Sequence, residues 1–511
     1  MMRTVLAAWL LACVAAVAHA GPTVATVSGH VEGTEANGGV AVFKGLPYAA
    51  APVGALRWRA PQSASAWSGT RDATRFGPAC IQKRGPSLEG GGDVGPTSED
   101  CLSVNVWTPR AEPGAALPVM VWIHGGAFVI GSGSLPFTDG TALARRGVVV
   151  VSFNYRLGPL GFVVHPALER EGASPPPAAN FGLQDQIAAL RWVQRHIAPF
   201  GGDPKRVTIF GESAGAQSVL ALMASPPARG LFQQAIAQSP YGLPSHTREK
   251  ARATGIKLAN ALGLPGARAS VAQLRVVPAE RFTTLEDPKL TLAPSPVIGD
   301  AVLPRSLIAT FRAGRQAKVP LVIGSNSDEA SVATAFGISG DAVIRQLGAA
   351  KLFVTPHYPD LKDETELGRQ VVRDAVFGAF ARRISVLNAP HAPTWRYYFS
   401  RRAEGVAATQ PGVPHGGEIA VVFGTGDTCG CTAAPWTEAD RAASQQVAER
   451  WVAFARTGRP DAADGPRWPR DGRLAGTVLE FGDTPTVQPE LMRDRLNVFI
   501  SAGNVLDRVL R

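Results

Sequence analysis

The run Gly211-Glu212-Ser213-Ala214-Gly215 constrains this chain more than any other feature. The β-rich stretch Val207-Thr208-Ile209-Phe210 leads into it, and Ala214 to Ala224, a run of good helix formers, follows. A serine between a buried strand and a helix requires a turn so sharp that its own backbone torsions are strained. Gly211 and Gly215 have no Cβ, so strand and helix can approach closely there. The hydroxyl then faces a cleft, with the helix N-terminus beneath it. This G-x-S-x-G in a strand–turn–helix setting marks Ser213 as a catalytic nucleophile.

The segments around it predict the architecture. Short apolar stretches at Leu117 to Ile123, Gly147 to Phe153, Arg206 to Phe210 and Val319 to Ile323 lack strict alternation. Helical periodicity at Gly182 to Ile197 and Ala214 to Ala224 separates them. Strands of this kind are buried on both faces, which implies an α/β fold with a mainly parallel sheet covered by helices on both sides. Ligands bind such sheets at the carboxyl ends of the strands. Ahead of this pattern, Thr23 to Val31 and Val40 to Phe43 flank Asn37-Gly38 and read as an N-terminal β-hairpin. With 45% hydrophobic and 18% charged residues, and no long linker or repeat, the 511-residue chain reads as one domain over 21–511.

Residues 1–20 read as an export signal: Arg3, an apolar run from Thr4 to Val17, and the A-x-A site Ala18-His19-Ala20. The expectation is a secreted or periplasmic chain cleaved near Ala20, with no later apolar run of about 18 residues to span a membrane. Export implies an oxidising compartment, and Cys80, Cys101, Cys429 and Cys431 remain. Cys80 with Cys101 is the favoured pair, closing a loop of about 20 residues. Cys429 and Cys431 either form a small ring or stay free. No second Cys/His pair stands at zinc spacing, so no metal is expected. The net charge of +10 is spread rather than clustered and carries no recognition motif, which argues against nucleic acid as a partner.

A serine attacking an ester carbonyl needs N–H donors for the oxyanion. The Ala214 N–H is one candidate. Val119 to Ile123 ends in His124-Gly125-Gly126-Ala127-Phe128, a turn of small residues able to offer others. The base must follow Ser213 in this order of residues. His246 comes too early, and His357 and His391 sit beside prolines. His415, after the strand Thr394 to Phe399 and before Gly416-Gly417, suits a loop-borne imidazole. For the acid, Pro320 to Ile323 runs into Gly324-Ser325-Asn326-Ser327-Asp328-Glu329. Asp328 and Glu329 compete, with Asp300 a weaker third.

These residues resemble the type-B carboxylesterase family, which includes the cholinesterases. The likeness extends through Phe43-Lys44-Gly45-Leu46-Pro47-Tyr48-Ala49, Ser98-Glu99-Asp100-Cys101-Leu102 and Asn154-Tyr155-Arg156-Leu157. It continues in Asn180-Phe181-Gly182-Leu183-Gln184-Asp185-Gln186, Phe200-Gly201-Gly202-Asp203-Pro204 and Phe454-Ala455-Arg456-Thr457-Gly458. The resemblance implies an α/β-hydrolase fold and a triad of Ser213, Glu329 and His415, with Asp328 structural. It implies oxyanion donors at Gly126, Ala127 and Ala214, and it supports the Cys80–Cys101 bridge. Glu212 and Glu418 correspond to a buried acidic pair near the site, and Ser239 to a serine close to the triad. No cofactor is implied.

The chain departs from the family in two places. Gln273 stands near where a cysteine of a second family disulfide would fall. The stretch from Cys80 to Cys101 contains no Trp, Tyr or Phe, whereas the cholinesterases place a choline-binding Trp there. Lys83 and Arg84 occupy that stretch instead. The expected activity is hydrolysis of neutral short- to medium-chain or aromatic esters. A non-catalytic binding protein on the same fold would lack a triad member, and a lipase would need a long apolar lid between Glu329 and His415, where the chain is compact.

Overall fold

The computed structural model describes residues 21–509 except 84–92, 172–178, 244–245, 288–289, 291–294, 433 and 473–475. Eleven strands form the central sheet. In chain order they are β1 (Thr34–Ala36), β2 (Val40–Pro47), β3 (Ser103–Thr108), β4 (Leu117–Ile123), β5 (Val149–Phe153), β6 (Gly202–Glu212), β7 (Gln234–Gln238), β8 (Leu321–Asn326), β9 (Thr394–Phe399), β10 (Val478–Phe481) and β11 (Pro485–Gln488). Their spatial order is β11-β10-β9-β8-β7-β6-β4-β5-β3-β2-β1. Every pairing from β10 across to β5 is parallel, and the two margins are antiparallel.

Period-two geometry divides the core. Val119, Val121 and Ile123 of β4 face one cluster, shared with α1 (Phe181–His196) and α2 (Ala214–Ala224). Met120 and Trp122 face the other, where Trp451 and Phe454 of α3 (Glu438–Thr457) pack. A strand that serves two helical layers has no polar face to show, which is why its sequence does not alternate.

The N-terminal hairpin differs from expectation. Asn37-Gly38 does turn a hairpin, but between β1 and β2. Thr23–Thr26 folds back on Gly29–Glu32 as a separate hairpin that joins Thr70–Asp72. The cause is local: Thr26 Oγ1 donates to the Gly29 carbonyl (2.8 Å) and accepts from Ser28 N–H (3.1 Å), closing a tight turn inside the stretch. Val27 is left exposed at its tip.

Cys80 is bonded to Cys101, and Cys429 to Cys431. The stretch between Glu329 and His415 forms short helices at Ser331–Ala335, Gly340–Leu347 and Glu364–Val372, a π-helical turn at Arg373–Gly378, and the helix Ala379–Asn388. Among the described residues, no helix is long and apolar enough to cross a membrane. The signal segment 1–20 lies outside them, as does Arg84.

Candidate active site

Strands β4, β6 and β8 end on the same side of the sheet, and the sequence-predicted residues follow them. Ser213 leaves β6 at φ 56°, ψ −121°, the strained turn that the Gly-flanked serine requires. The turn fits because a Cβ on Gly215 would lie 2.0 Å from the Ile123 carbonyl oxygen. The Ser213 N–H is held by the Gln238 carbonyl of β7 (2.9 Å).

The turn after β4 is wound through positive φ at Gly126 (101°), Ala127 (53°) and Phe128 (64°). That conformation turns successive amides away from the strand ladder. Among the described residues, the N–H groups of Gly126, Ala127 and Ala214 meet no backbone or side-chain acceptor. His124 anchors the turn, stacked on Tyr155 with ring centroids 4.3 Å apart and its Nδ1 2.9 Å from the Gly125 carbonyl. Burial pushes its pKa down to about 4, so this ring is neutral, though the Gly125 bond opposes the shift.

His415 Nδ1 lies 2.5 Å from Glu329 Oε2, and its Nε2 lies 3.1 Å from Glu212 Oε1. Burial disfavours the charged ring, yet Glu212, Glu329 and Glu418 outweigh it and push the pKa up to about 10. Backbone bonds fix this arrangement. His415 N–H donates to Ser331 Oγ (2.9 Å), and Asn326 N–H to Glu329 Oε1 (2.6 Å). Glu329 is fully buried. Asp328 instead accepts from Arg369 (2.5 Å), and Asp300 accepts from the Val302 and Leu303 amides and from Asn180. The two rival acids therefore have other partners.

Glu418 is fully buried behind the histidine. It accepts from Gln238 Nε2 (3.1 Å) and from Asn326 Nδ2, while Gln238 Oε1 accepts from the Trp451 indole (3.0 Å). Burial, then Glu329, raise its pKa. Ser239, also buried and at φ 54°, donates its N–H to the Gly324 carbonyl (2.9 Å).

Ser213, Glu212 and His415 line one cavity with Gly126 and Ala127. Trp122, Leu135, Phe137 and Ile419 give it an apolar side, and Val332, Ala335 and Phe336 form another wall. The Phe377 ring lies 5.1 Å from the His415 ring. Sequence reading missed Phe377, Gln238, Trp451 and the Val332–Phe336 wall. Gln238 stands beside Ser239, but its role depends on a tryptophan more than two hundred residues later. Among the described residues, no group of three or more His, Cys, Asp or Glu could hold a metal.

A family model described as the carboxylesterase family matches residues 20–353 and 350–499. The fumonisin B1 esterase of Sphingopyxis macrogoltabida is 38% identical over 484 residues, covering 89% of this chain and 86% of that one. The para-nitrobenzyl esterase of Bacillus subtilis is 35% identical over 464 residues, covering 87% and 92%. Among solved structures, a PNB esterase superposes with a TM-score of 0.80 at 33% identity, covering 93% of this chain and 99% of that one. A Geobacillus stearothermophilus carboxylesterase gives 0.80 at 32% identity with the same coverage. On family match, identity and coverage together, this chain belongs to the carboxylesterase family and is an ester hydrolase.

Proposed function

We propose that Ser213, His415 and Glu329 form a catalytic triad that hydrolyses esters through an acyl-enzyme. The observation that carries the proposal is the short His415–Glu329 hydrogen bond at the wall of the cavity that Ser213 also lines. Neutral His415 takes the Ser213 proton as the hydroxyl attacks the ester carbonyl. Glu329 fixes the ring tautomer, and Glu212 beside Nε2 stabilises the imidazolium that forms. The amides of Gly126, Ala127 and Ala214 meet the oxyanion. His415 then protonates the leaving alcohol, and water repeats the sequence to release the acid.

The proposed substrates are neutral short- to medium-chain or aromatic esters. The apolar cavity lining supports this, as does the absence of any aromatic residue between Cys80 and Cys101. One relative's name, para-nitrobenzyl esterase, refers to an aromatic ester. We further propose one domain over 21–511, exported to the periplasm or beyond after cleavage near Ala20. Both disulfides fit that destination.

The test is Ser213→Ala assayed on p-nitrophenyl esters of increasing chain length. The expected result is loss of turnover in a folded protein, together with a p-nitrophenol burst in the parent. Turnover retained by the folded variant overturns the triad.

A further inference from the structure

Cys429 and Cys431 lie on the loop after the helix Ile419–Phe423, bonded across one intervening glycine. Cys431 and Gly430 are exposed and Cys429 is half-buried, whereas Cys80 and Cys101 are 3% and 2% exposed. A Cβ built on Gly430 would meet nothing within 4 Å, so one side of the ring is open to small molecules.

Hydrogen bonds also hold this loop. The Thr425 carbonyl accepts the Thr428 and Cys429 N–H groups (2.9 and 2.8 Å), Thr432 Oγ1 donates to Gly426 O (3.2 Å), and Arg441 grips Asp427 (2.7 Å). Closing a ring with a sequence separation of 2 removes far less chain entropy than closing one of 21. This bridge therefore adds little to the fold, and exposed bridges are the ones that exchange.

We propose that Cys429-Gly430-Cys431 is a site of reversible thiol–disulfide exchange with small thiols, separate from the ester-hydrolysing centre. A dithiol's thiolate attacks Sγ of Cys431, the S–S bond opens, and Cys429 leaves as a thiolate that takes up a proton. The reagent's second thiol then displaces Cys431 from the mixed disulfide. The reagent departs as a cyclic disulfide, and its two electrons and two protons stand on the Cys429 and Cys431 thiols.

The test treats the folded full-length protein with graded dithiothreitol, quenches with iodoacetamide and maps the labelled peptides. Cys429 and Cys431 are expected to label at least about tenfold faster than Cys80 and Cys101, and oxidised glutathione should restore the bridge. In a Cys429→Ser/Cys431→Ser double variant the fast-labelling peptide should vanish, the Cys80 and Cys101 peptides should label at the parent's slow rate, and ester turnover should be kept. Equal rates at the two bridges overturn the proposal. So does absence of label at Cys429 and Cys431 until circular dichroism reports unfolding, or loss of ester turnover in the folded double variant.

Discussion

Arg369 Nη2 sits 2.5 Å from Asp328 Oδ1, while the next carboxylate along, Glu329, accepts from His415 Nδ1. Adjacent acids thus serve different elements, one a surrounding helix and the other the imidazole. Glu329→Gln should lower kcat by about 10⁴-fold, as expected when the ring loses its tautomer-fixing acceptor. Asp328→Asn should leave kcat within the same order and cost about 1 kcal/mol of stability. Steady-state kinetics and denaturant melts on both variants check this; the opposite ranking would exchange the roles.

The pH profile should reflect the carboxylates around His415. Its pKa stands at about 10 against an ordinary 6.5, and the base must be neutral. The rising limb of kcat/KM is therefore expected above pH 6.5. Glu212→Gln removes the largest raising neighbour and should move that limb to lower pH. Stability follows the opposite sense: the charged ring's contribution is fully present below pH 6.5 and is lost as pH rises through about 10. Rate and melting profiles of parent and variant test both halves. A limb that Glu212→Gln does not shift would sink the electrostatic account.

Gly126→Ala should damage the oxyanion turn while sparing the fold. The residue sits at φ 101°, and its Cβ would lie 2.3 Å from the Ile130 carbonyl oxygen. Displacing one donor is expected to lower kcat by about 10²–10³-fold with little change in KM. Single-turnover acylation rates separate this from a binding defect.

Gln238→Leu should destabilise the chain by about 1–3 kcal/mol, since it strips the Trp451 indole N–H and one Glu418 oxygen of their shared partner. Guanidinium unfolding midpoints measure the loss. A variant as stable as the parent would mean that water replaces the amide at no cost.

Choline esters should gain little here. Lys83 is exposed in the Cys80–Cys101 stretch, which offers no aromatic ring for an ammonium to rest on. Comparing kcat/KM for butyrylthiocholine with an uncharged thioester of matched acyl chain checks this. A choline preference of tenfold, about 1.4 kcal/mol, would reveal another cation site.

The strands and helix that border the candidate site were legible because their signals are local. Leu117–Ile123, Ala214–Ala224 and Thr394–Phe399 lie where apolar runs and helix formers put them. His415 was reached by elimination. Preferring Glu329 to Asp328 rested on family resemblance, because the contact that occupies Asp328 comes from Arg369, forty-one residues further on. The double hairpin at the N-terminus escaped because a threonine hydroxyl, not a Gly or Pro signal, makes its turn. The Trp451–Gln238–Glu418 chain escaped because it joins elements distant in sequence.

The Ile123 carbonyl presses on the position of Gly215, and a Cβ on Gly125 would come within 2.8 Å of the Glu212 carbonyl. The serine turn and the oxyanion turn are consequently cast as one piece. Drift in either would spoil the register of both, so these walls have almost no freedom to vary. Another part of the lining, Val332, Ala335 and Phe336, comes from the short helix Ser331–Ala335 and the residue after it. Substitutions at Val332, Ala335 and Phe336 alter that wall while leaving in place Ser331, whose hydroxyl holds the His415 N–H, which makes those three positions the first to vary when adapting this enzyme to a new ester.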